Sequence, residues 1–422
     1  MEIIIVGAGI AGLGAGIALR RGGHKVTILE QSSLLHEVGA AITVAPNASL
    51  ILKSWGFSPA KSKLVALSKA NVWDGMGMKV VVDNYYANTE EKYGIPLYAA
   101  HRVDLHSQLR EIATRKDGEG TPVDLMVRTK IIGYDAVNGK VTLESGKTLQ
   151  ADLIVAADGV HSTAVDHVLG PNKVQAGDTG WSCMRWLVPT EDLLSDPETA
   201  DLVDNSVQRF FAPASGVGGF VWYPCRNNEV QNFLYLSKAF DSSHATESFR
   251  ASVEPSVPMK YAKPEFSPAL QAVIGKAQDV RFWKLIAREP IPTWHKDRLV
   301  LIGDAAHPML PFQAQGGCQA IEDAGALGIL LNEINPDDKE TLEKRLQLYE
   351  KVRKNRGSSL QILSNHSPPA SQATRDEAAK YLPDGKTLNT TDDINDYVFS
   401  FDVIRECEIL LAEESIDGGI RT

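Results

Sequence analysis

The chain has 422 residues, a formal net charge of −10, 43% hydrophobic residues and 23% charged residues. This length is typical of two domains, and the composition is typical of a globular protein. The negative charge argues against nucleic acid or an anionic membrane surface as the main partner. No apolar run approaches the roughly 20 residues that a membrane span requires.

The four cysteines, Cys183, Cys225, Cys318 and Cys407, are widely spaced and form no CxxC pattern. They predict reduced thiols in a cytoplasmic protein. The ten histidines show no paired metal-ligand spacing, so we expect no metal site. Because Met1 leads directly into an apolar run, we also expect no signal peptide.

The first predicted elements are a strand, a glycine-rich turn and a helix. Residues 2–6 are apolar and rich in β-branched side chains, which is typical of a strand buried on both faces. In the GxGxxG spacing that follows, Gly7 permits a tight turn, Gly9 lets the backbone approach a pyrophosphate, and Gly12 lets the helix pack close to the strand. The helix extends to about Arg21, and its N-terminus offers free N–H groups to phosphates.

A second strand at residues 25–29 ends at Glu30. An acidic residue at this place is typical of a dinucleotide site, where it accepts hydrogen bonds from the ribose hydroxyls and repels a 2′-phosphate. A glycine turn in an ordinary βαβ unit is the alternative, and at this stage both NAD and FAD remain open.

The middle of the chain is predicted to contain strands of another sheet, a helix and a β meander. Residues 70–98 alternate irregularly and predict strands of another sheet, and residues 101–109 begin a helix. Residues 125–149 predict a β meander with turns at Asn-Gly and Ser-Gly. A buried strand at 152–157 then ends at Asp158.

The second half begins with a β-rich region and ends with helices. The predicted strands are 181–188, 207–211, 219–224, 231–236 and, after a gap, 298–302. The last strand leads into the motif GDAAHP at 303–308. We predict helices at 317–331, 339–356 and 398–414, and a polar, proline-containing loop over 366–396.

The combination of motifs resembles the single-component flavoprotein aromatic hydroxylases, which share the para-hydroxybenzoate hydroxylase fold. Within this family the chain is most similar to the fungal salicylate hydroxylase-like members. The resemblance covers essentially the whole chain and rests on five motifs: 5–30 around the glycine fingerprint, 38–42 (VGAAI) with Pro46-Asn47, 101–105 (HRVDL), 158–162 (DGVHS) and 303–308 (GDAAHP).

The resemblance implies a non-covalently bound FAD and names residues that hold it. Glu30 would bind the adenosine ribose, Arg102 would contact the cofactor, Asp304 would bind the ribityl chain, and the helix beginning at Gly317 would direct its N-terminus at the flavin ring. The expected cofactor-binding residues are Gly7, Gly9, Gly12, Glu30, Ala41, Arg102, Asp158, Asp304, Gly316 and Gly317. The motif at Asp158 serves both FAD and NAD(P)H in the family, but Val165 stands where an arginine is usual, so the docking of the nicotinamide stays open.

The fold class that follows is α/β: a discontinuous Rossmann-like FAD-binding domain, a β-sheet substrate domain and a C-terminal helical region. The predicted segments are 1–70, 99–176 and 285–331 for FAD binding, 71–98 and 177–284 for the substrate domain, and 332–422 for the helical region.

The substrate site is predicted from arginines on apolar strands. Arg185 and Arg209 each lie among apolar neighbours, where a guanidinium needs an anionic partner. Either arginine could bind a phenolate or carboxylate of a substrate, or form a structural ion pair. Tyr223 and Tyr235 could donate a hydrogen bond to a substrate oxygen or serve as amphipathic core residues.

The activity that the resemblance implies is monooxygenation. NADH or NADPH would reduce the flavin, O₂ would form a flavin hydroperoxide, and one oxygen would pass to an aromatic substrate such as a phenol or benzoate. Two alternatives stay open: oxygenation of a non-aromatic natural-product intermediate, such as epoxidation in secondary metabolism, and a non-catalytic flavin-binding module. The sequence leaves the substrate, the regiochemistry, any accompanying decarboxylation, the catalytic base and the oligomeric state undetermined.

Overall fold

The structure is a computed structural model that describes residues 1–34, 41–171, 174–241, 251–335, 338–366 and 370–419. Residues 38–40 of the VGAAI motif lie outside the described residues.

The described elements alternate between strands and helices near the N-terminus, are mainly strands in the middle and are helices from Gly316 onward. The strands are β1 (Glu2–Val6), β2 (Lys25–Leu29), β3 (Ala41–Val44), β4 (Val65–Leu67), β5 (Lys69–Asp74), β6 (Lys79–Tyr85), β7 (Leu97–His101), β8 (Asp124–Met126), β9 (Ile131–Asp135), β10 (Lys140–Leu143), β11 (Thr148–Gln150), β12 (Leu153–Ala156), β13 (Gly177–Pro189), β14 (Val207–Ala212), β15 (Gly219–Cys225), β16 (Val230–Ser237), β17 (Arg281–Ala287), β18 (His295–Lys296) and β19 (Leu299–Leu301). The helices are α1 (Ile10–Arg21), α2 (Pro46–Ser54), α3 (Thr89–Tyr93), α4 (Arg102–Thr114), α5 (Ala164–Leu169), α6 (Thr190–Leu194), α7 (Val257–Ala262), α8 (Pro268–Ile274), α9 (Gly316–Leu330), α10 (Lys339–Ser364), α11 (Gln372–Ala379), α12 (Thr391–Phe399) and α13 (Val403–Gly419).

A six-stranded sheet in the order β18-β19-β12-β1-β2-β8 forms one layer. The pairs β19–β12, β12–β1, β1–β2 and β2–β8 are parallel, and β18 is antiparallel to β19. Ile3, Ile4 and Ile5 are almost fully buried, as expected for a parallel sheet that is covered on both faces.

Helices α1 and α9 pack closely against each other because glycines stand at their contact. A Cβ added at Gly328 of α9 would lie 2.7 Å from the Cβ of Ala18, and one at Gly14 of α1 would lie 3.1 Å from the Cβ of Ala324. Such short separations exclude larger side chains at these positions.

A seven-stranded sheet in the order β17-β13-β16-β15-β14-β5-β6 forms the second layer. Residues directly opposite one another in neighbouring strands share a face, and alternate residues of one strand lie on opposite faces. We call the face that carries Tyr223 the inner face, because Tyr223 belongs to the same core as the six-stranded sheet. The outer face carries Trp186, Trp222 and Phe233 and packs in a separate core with residues of α7 and α8.

A small sheet in the order β3-β7-β4 connects the two layers. In its register Ala41 lies opposite His101, the last residue of β7, and α4 begins at the next residue, Arg102. The motifs at Ala41 and Arg102, which are 61 positions apart by number, therefore come together through one antiparallel strand pair.

The predicted α/β fold, with a separate β-sheet layer and a C-terminal helical region, is confirmed. The division into six segments stays a prediction, and the strands cross three of its boundaries: β5 joins the seven-stranded sheet from Lys69, β7 runs from Leu97 to His101, and β17 extends to Ala287.

The predicted loop over 366–396 is wrong, because this region contains α11 and α12. Both helices begin at a hydroxyl cap. The Ser371 side chain accepts a hydrogen bond from the Thr374 N–H, and Thr390 forms a capping box with Asp393. These caps satisfy N–H groups that short polar helices would otherwise leave exposed.

Candidate active site

Four neighbouring strands bring the sequence motifs to one edge of the six-stranded sheet. Backbone hydrogen bonds of 2.8–3.0 Å join the residue that follows each of β19, β12 and β1 to the end of the next strand. Asp304, Asp158, Gly7 and Glu30 therefore lie just beyond the carboxyl ends of adjacent strands. Ligands of open α/β sheets bind at this edge.

The three fingerprint glycines have different surroundings. Gly7 has a φ of +101°, and a Cβ there would lie 2.4 Å from the carbonyl oxygen of Ala157. A Cβ at Gly12 would lie 1.9 Å from the carbonyl oxygen of Gly7, whereas one at Gly9 would meet no atom within 4 Å. Gly7 and Gly12 are thus required by the fold itself, and Gly9 faces open space at the N-terminus of α1, where a pyrophosphate would approach.

The Glu30 carboxylate is held in place by two backbone donors. Its Oε2 accepts a hydrogen bond of 2.8 Å from the Ala8 N–H, and its Oε1 accepts one of 2.7 Å from the Ser32 N–H. A carboxylate oxygen can accept more than one hydrogen bond, so the oriented group can still bind ribose hydroxyls.

Asp304 lies in the loop between β19 and α9. Its side chain is exposed to solvent, although enough protein lies nearby to disfavour the charged form of the carboxyl group. Burial raises the pKa of Asp304 above its usual range, while the positive charges of Arg102 and Arg288 oppose the rise. The Asp304 Oδ1 lies 4.0 Å from the place of a Cβ on Gly316, so the carboxylate is next to the N-terminus of α9.

The first turn of α9 faces the same region and has no acidic residue. Helix N-termini carry N–H groups without intrahelical partners and a partial positive charge. The position of Gly316 and Gly317 beside Asp304 therefore suits a ligand that combines hydroxyl groups with a ring that gains negative charge.

Arg288 interacts electrostatically with both Asp304 and Asp158. It was not predicted from the sequence. Its Nη2 donates hydrogen bonds to the carbonyl oxygens of Ala305 and Ala306, at 2.5 and 3.2 Å. Burial lowers the pKa of Arg288 to about 10, and the negative charges of Asp304 and Asp158 oppose the fall. Arg288 therefore adds a positive charge that tethers the GDAAHP loop.

Asp158 is predominantly buried and accepts a hydrogen bond of 2.8 Å from the Tyr134 hydroxyl. Burial raises the pKa of Asp158, whereas hydrogen bonds from Ser162 and Tyr134 lower it. Val165 of α5 is only 3% exposed, so the position where an arginine is usual packs in the core here.

Ala41 forms two hydrogen bonds with residues on the inner face of the seven-stranded sheet. The Tyr223 hydroxyl donates a hydrogen bond of 2.9 Å to the Ala41 carbonyl oxygen, and the Asn232 Oδ1 accepts one of 3.3 Å from the Ala41 N–H. Tyr223 and Asn232 are directly opposite one another in β15 and β16. The Asn232 amide nitrogen is buried without a hydrogen-bond partner in the described part of the chain, so it is a donor that faces the interface of the two layers.

Arg185 lies on the inner face together with this pair. The register places it opposite Leu234, which is opposite Val221, two residues before Tyr223. Its guanidinium is 5.1 Å from the ring centre of Trp283. Burial lowers the pKa of Arg185 to about 10, and the positive charge of Arg102 contributes to the fall. The two guanidinium groups are therefore close enough to interact.

Arg209 and Tyr235 lie on the outer face. Arg209 is 8% exposed, donates a hydrogen bond to the carbonyl oxygen of Leu202 and stands 4.8 Å from the ring centre of Trp222. The Tyr235 hydroxyl donates to the carbonyl oxygen of Tyr261 at 3.3 Å. This placement argues against Arg209 as a substrate anchor, because the sheet separates its guanidinium from Arg185 and Tyr223.

A network of buried charged side chains contacts the GDAAHP loop and holds it in place. Asp323 Oδ2 accepts from the Gly303 N–H at 2.8 Å and is 2.6 Å from His307 Nε2, and its Oδ1 accepts from Arg353 Nε at 2.9 Å. Arg353 also pairs with Glu322. Burial opposes ionisation, but the charges of His307 and Arg353 lower the pKa of Asp323 to about 2. The pairing with Asp323 gives His307 a structural role in this loop.

The residues at this edge fit FAD. Gly9 leaves open space at a helix N-terminus, Glu30 presents an oriented carboxylate, and Asp304 presents an exposed carboxylate beside a second helix N-terminus. These three features match a pyrophosphate, a ribose and a polyhydroxyl chain next to a ring. Among the described residues no cluster of three or more histidine, cysteine or acidic side chains could hold a metal ion, and no helix is long and apolar enough to cross a membrane.

Comparison with known proteins gives a direct family assignment. The family FAD_binding_3, described as an FAD binding domain, matches residues 1–361. The FAD-dependent monooxygenase phomE' of Diaporthe leptostromiformis is 62% identical over 385 residues, which cover 91% of this chain and 96% of the relative. The FAD-dependent monooxygenase phomE of the same fungus is 55% identical, with coverage of 98% and 96%. Hispidin-3-hydroxylase of Neonothopanus nambi is 31% identical, with coverage of 97% and 96%.

Solved structures show the same fold at low sequence identity. CtdE in complex with FAD and a substrate has a TM-score of 0.78 at 20% identity, and covers 98% of both chains. A salicylate hydroxylase substrate complex has a TM-score of 0.74 at 21% identity, with 97% coverage of both chains.

The chain belongs to the FAD-dependent monooxygenases of the flavoprotein aromatic hydroxylase family. Its cofactor is FAD, and the protein is an enzyme, so the alternative of a non-catalytic flavin-binding module is set aside.

Proposed function

We propose that this monooxygenase uses NADH or NADPH and O₂ to hydroxylate a phenolic or benzoate-like small molecule. The observation that carries the proposal is the concentration of positive charge around the cleft. The chain has a net charge of −10, yet Arg102, Arg185 and Arg288 converge near Asp304 and the inner face of the seven-stranded sheet.

Positive charge at this place favours an anionic aromatic substrate. A phenolate or carboxylate compensates a guanidinium that burial has partly desolvated, and Arg offers a planar pair of donors to such a group. Deprotonation of a phenol also raises the electron density of its ring, which promotes attack by an electrophilic oxygen. In this proposal Arg185 binds the anionic oxygen of the substrate, and Trp283 forms part of the wall beside it.

The FAD-facing residues have separate roles in the proposal. Gly9 and the N-terminus of α1 bind the pyrophosphate, Glu30 binds the adenosine ribose, and Asp304 accepts a hydroxyl of the ribityl chain. The N-terminus of α9 stabilises negative charge on the ring. FAD, when bound, supplies the reduction and activation of O₂. The protein orients the substrate and excludes water.

Tyr223 has a positioning role rather than an acid–base role in the proposal. Its hydroxyl proton is already donated to the Ala41 carbonyl oxygen, and burial raises the pKa of the phenol well above its usual value. The hydroxyl oxygen retains acceptor capacity, so Tyr223 holds Ala41 against the inner face and can still accept a hydrogen bond.

The proposal also includes an aromatic substrate and a cytoplasmic location, and a separate observation supports each. The name of the relative hispidin-3-hydroxylase supports an aromatic substrate. The four cysteines are all buried and free, which suits the reducing conditions of the cytoplasm.

Oxidation of NAD(P)H by the purified FAD-containing protein tests the proposal. Phenols, benzoates and non-aromatic alkenes are compared, and ¹⁸O₂ is used to follow oxygen into the product. We expect at least one phenol or benzoate to stimulate oxidation and to gain one ¹⁸O atom. Stimulation by alkenes alone would favour the epoxidation alternative, and oxidation that yields only hydrogen peroxide with every compound would contradict the proposal. Acid precipitation of the same protein should leave FAD in the supernatant, because we expect no covalent bond.

A further inference from the structure

A small apolar cluster lies against the inner face of the seven-stranded sheet, separate from the two large cores. Its buried members include Trp181, Cys183 and Leu310. Leu234, Trp283 and Phe312 pack on them and stay half-buried. We call these six residues the apolar wall. An apolar cluster whose large side chains remain partly accessible to solvent is typical of a surface that binds a ligand.

The apolar wall begins at the proposed substrate anchor. Arg185 lies directly opposite Leu234, and its guanidinium is 5.1 Å from the ring centre of Trp283. Cys183, two residues before Arg185 on β13, is directly opposite Trp283 on β17. Leu234 also packs on the core of the six-stranded sheet, so two separate apolar surfaces of the inner face meet beside this arginine.

The segment that leads from the GDAAHP loop to α9 supplies the other side of the wall. Leu310 and Phe312 belong to this segment, which ends at Gly316 beside Asp304. The ring centre of Phe312 is 4.9 Å from that of Trp181, in an edge-to-face arrangement. Since Trp181 precedes Arg185 by four residues on β13, the wall extends roughly 10 Å or more along this strand. One aromatic ring bound at Arg185 would leave the far part of the wall uncovered.

We propose that the apolar wall binds an apolar arm of the substrate, similar in size to a second aromatic ring and attached to the ring whose anionic oxygen Arg185 binds. This inference rests on the proposed function and narrows its substrate class to extended phenols or benzoates. An arm that packs between Trp283 and Phe312 removes apolar surface of both partners from water, and aromatic pairs add further attraction. The arginine by itself does not distinguish a simple phenol from an extended one, whereas the wall does.

Pairs of ligands that differ only in the arm test the inference. Phenol is compared with meta- and para-phenylphenol, and benzoate with the corresponding biphenylcarboxylates. Changes in the flavin absorbance of the FAD-containing protein give the dissociation constant of each ligand, and NAD(P)H oxidation gives its kcat/KM. For the wild type we expect the added phenyl group to improve both constants about ten-fold or more in at least one pair.

A substitution in the wall should reduce this preference. Phe312→Ala should lower the ratio of the extended to the simple ligand about three-fold or more, because it removes one aromatic contact of the arm. Phe312→Leu keeps an apolar side chain and should lower the ratio less, and it carries the test if Phe312→Ala does not fold. Melting temperature and FAD content verify the folding of each variant.

Phe210→Ala is the matched control. Phe210 is also a half-buried phenylalanine of this sheet, but it lies three strands from Arg185 in the same row of residues, about 14 Å away. The ratio of the extended to the simple ligand should therefore keep its wild-type value in Phe210→Ala.

Three results would overturn the inference alone. They are a wild type that does not prefer the extended ligands, an equal effect of Phe312→Ala and Phe210→Ala on the ratio, and a raised KM for NAD(P)H in Phe312→Ala with an unchanged ratio. The last result would show that the wall binds the nicotinamide dinucleotide instead. Absence of binding and of turnover with every phenol and benzoate would overturn the proposed function together with this inference.

Discussion

The Tyr223 hydroxyl donates a 2.9 Å hydrogen bond to the carbonyl oxygen of Ala41. Together with the bond between the Ala41 N–H and Asn232, it joins the middle of the seven-stranded sheet to β3, the strand that precedes α2. Because Tyr223 contacts Ala41, a change at Tyr223 is expected to affect the proposed FAD site through Ala41.

Loss of this bond should weaken FAD binding more than it alters turnover at saturating FAD. Tyr223→Phe leaves the buried Ala41 carbonyl oxygen without its donor, at a cost of about 1–3 kcal/mol. We expect a lower melting temperature and a weaker affinity for FAD, with an unchanged pH profile of turnover at saturating FAD. Tyr235→Phe on the outer face is the matched control and should lower the melting temperature alone. Loss of a titrating step from the pH profile of Tyr223→Phe would assign the phenol an acid–base role instead.

Asp304→Asn should separate cofactor binding from folding. A charge-assisted hydrogen bond to a ribityl hydroxyl contributes about 1.5–3 kcal/mol, so the dissociation constant for FAD should rise about ten-fold or more. The apoprotein should not be destabilised, because burial raises the pKa of Asp304 and the charged form is therefore disfavoured in the folded state. Titration of apoprotein with FAD and melting of the apoprotein measure the two effects. An unchanged FAD affinity would remove Asp304 from the cofactor site.

Arg353→Met should be severe, because it removes a fully buried cation that pairs with both Asp323 and Glu322, of which only Glu322 keeps a second arginine, Arg356. Removal of one partner from a buried ion pair costs about 3–5 kcal/mol. Because Asp323 also fixes the Gly303 N–H and His307, the variant should lose FAD as well as stability. Arg345→Met, on the same helix and near its surface, removes a partly exposed pair with Glu414 and should change neither property by more than a small amount. Equal effects of the two substitutions would contradict a special role for the buried network.

His295 and Glu350 should stabilise the fold over a limited pH range. His295 Nδ1 lies 2.8 Å from Glu350 Oε1. Although burial opposes both shifts, their contact raises the pKa of His295 above 6.5 and lowers the pKa of Glu350 from 4.5 to about 2. The histidine contribution is fully present below pH 6.5 and disappears as the pH rises through the raised value. The glutamate contribution is present above pH 4.5 and disappears as the pH falls toward 2.

The difference in melting temperature between wild type and His295→Gln should therefore be largest between pH 4.5 and 6.5 and should shrink at alkaline pH. A difference that stays constant into the alkaline range would show that His295 acts through packing and not through its charge.

The cofactor side of the site was predictable because its signals are local. Gly7, Gly9 and Glu30 lie within one βαβ unit, and the rule that ligands bind at the carboxyl ends of parallel strands brings Asp304 to the same edge. These motifs can be recognised without knowing any long-range contact other than the order of the strands in the sheet.

The substrate side was less predictable because it depends on long-range pairing. Arg185 and Arg209 look alike in the sequence, and only the register of β13 to β16 places them on opposite faces of the sheet. Asn232 contacts Ala41 across 191 positions, which no local pattern indicates. The helix α12 is different, since the Thr390 and Asp393 of its capping box were visible in the sequence but were outweighed by the polar composition of the region.

Arg209→Ala provides the matched comparison for the proposed substrate anchor. Its guanidinium stacks on Trp222 in the outer core, so removal should lower the melting temperature while substrate-dependent turnover per bound FAD stays near the wild-type value. A selective loss of turnover with unchanged stability would place Arg209 in the site despite its position on the outer face.

The most direct test of the account is the coupling efficiency of Arg185→Ala, measured as hydroxylated product formed per NAD(P)H consumed with a phenolic or benzoate substrate. We expect bound FAD and the melting temperature to stay near wild type, a large loss of substrate-dependent turnover and coupling, and only partial recovery in Arg185→Lys, because a point charge does not reproduce the planar guanidinium. Wild-type coupling in Arg185→Ala with a true substrate would contradict the proposal that this arginine binds an anionic oxygen of the substrate.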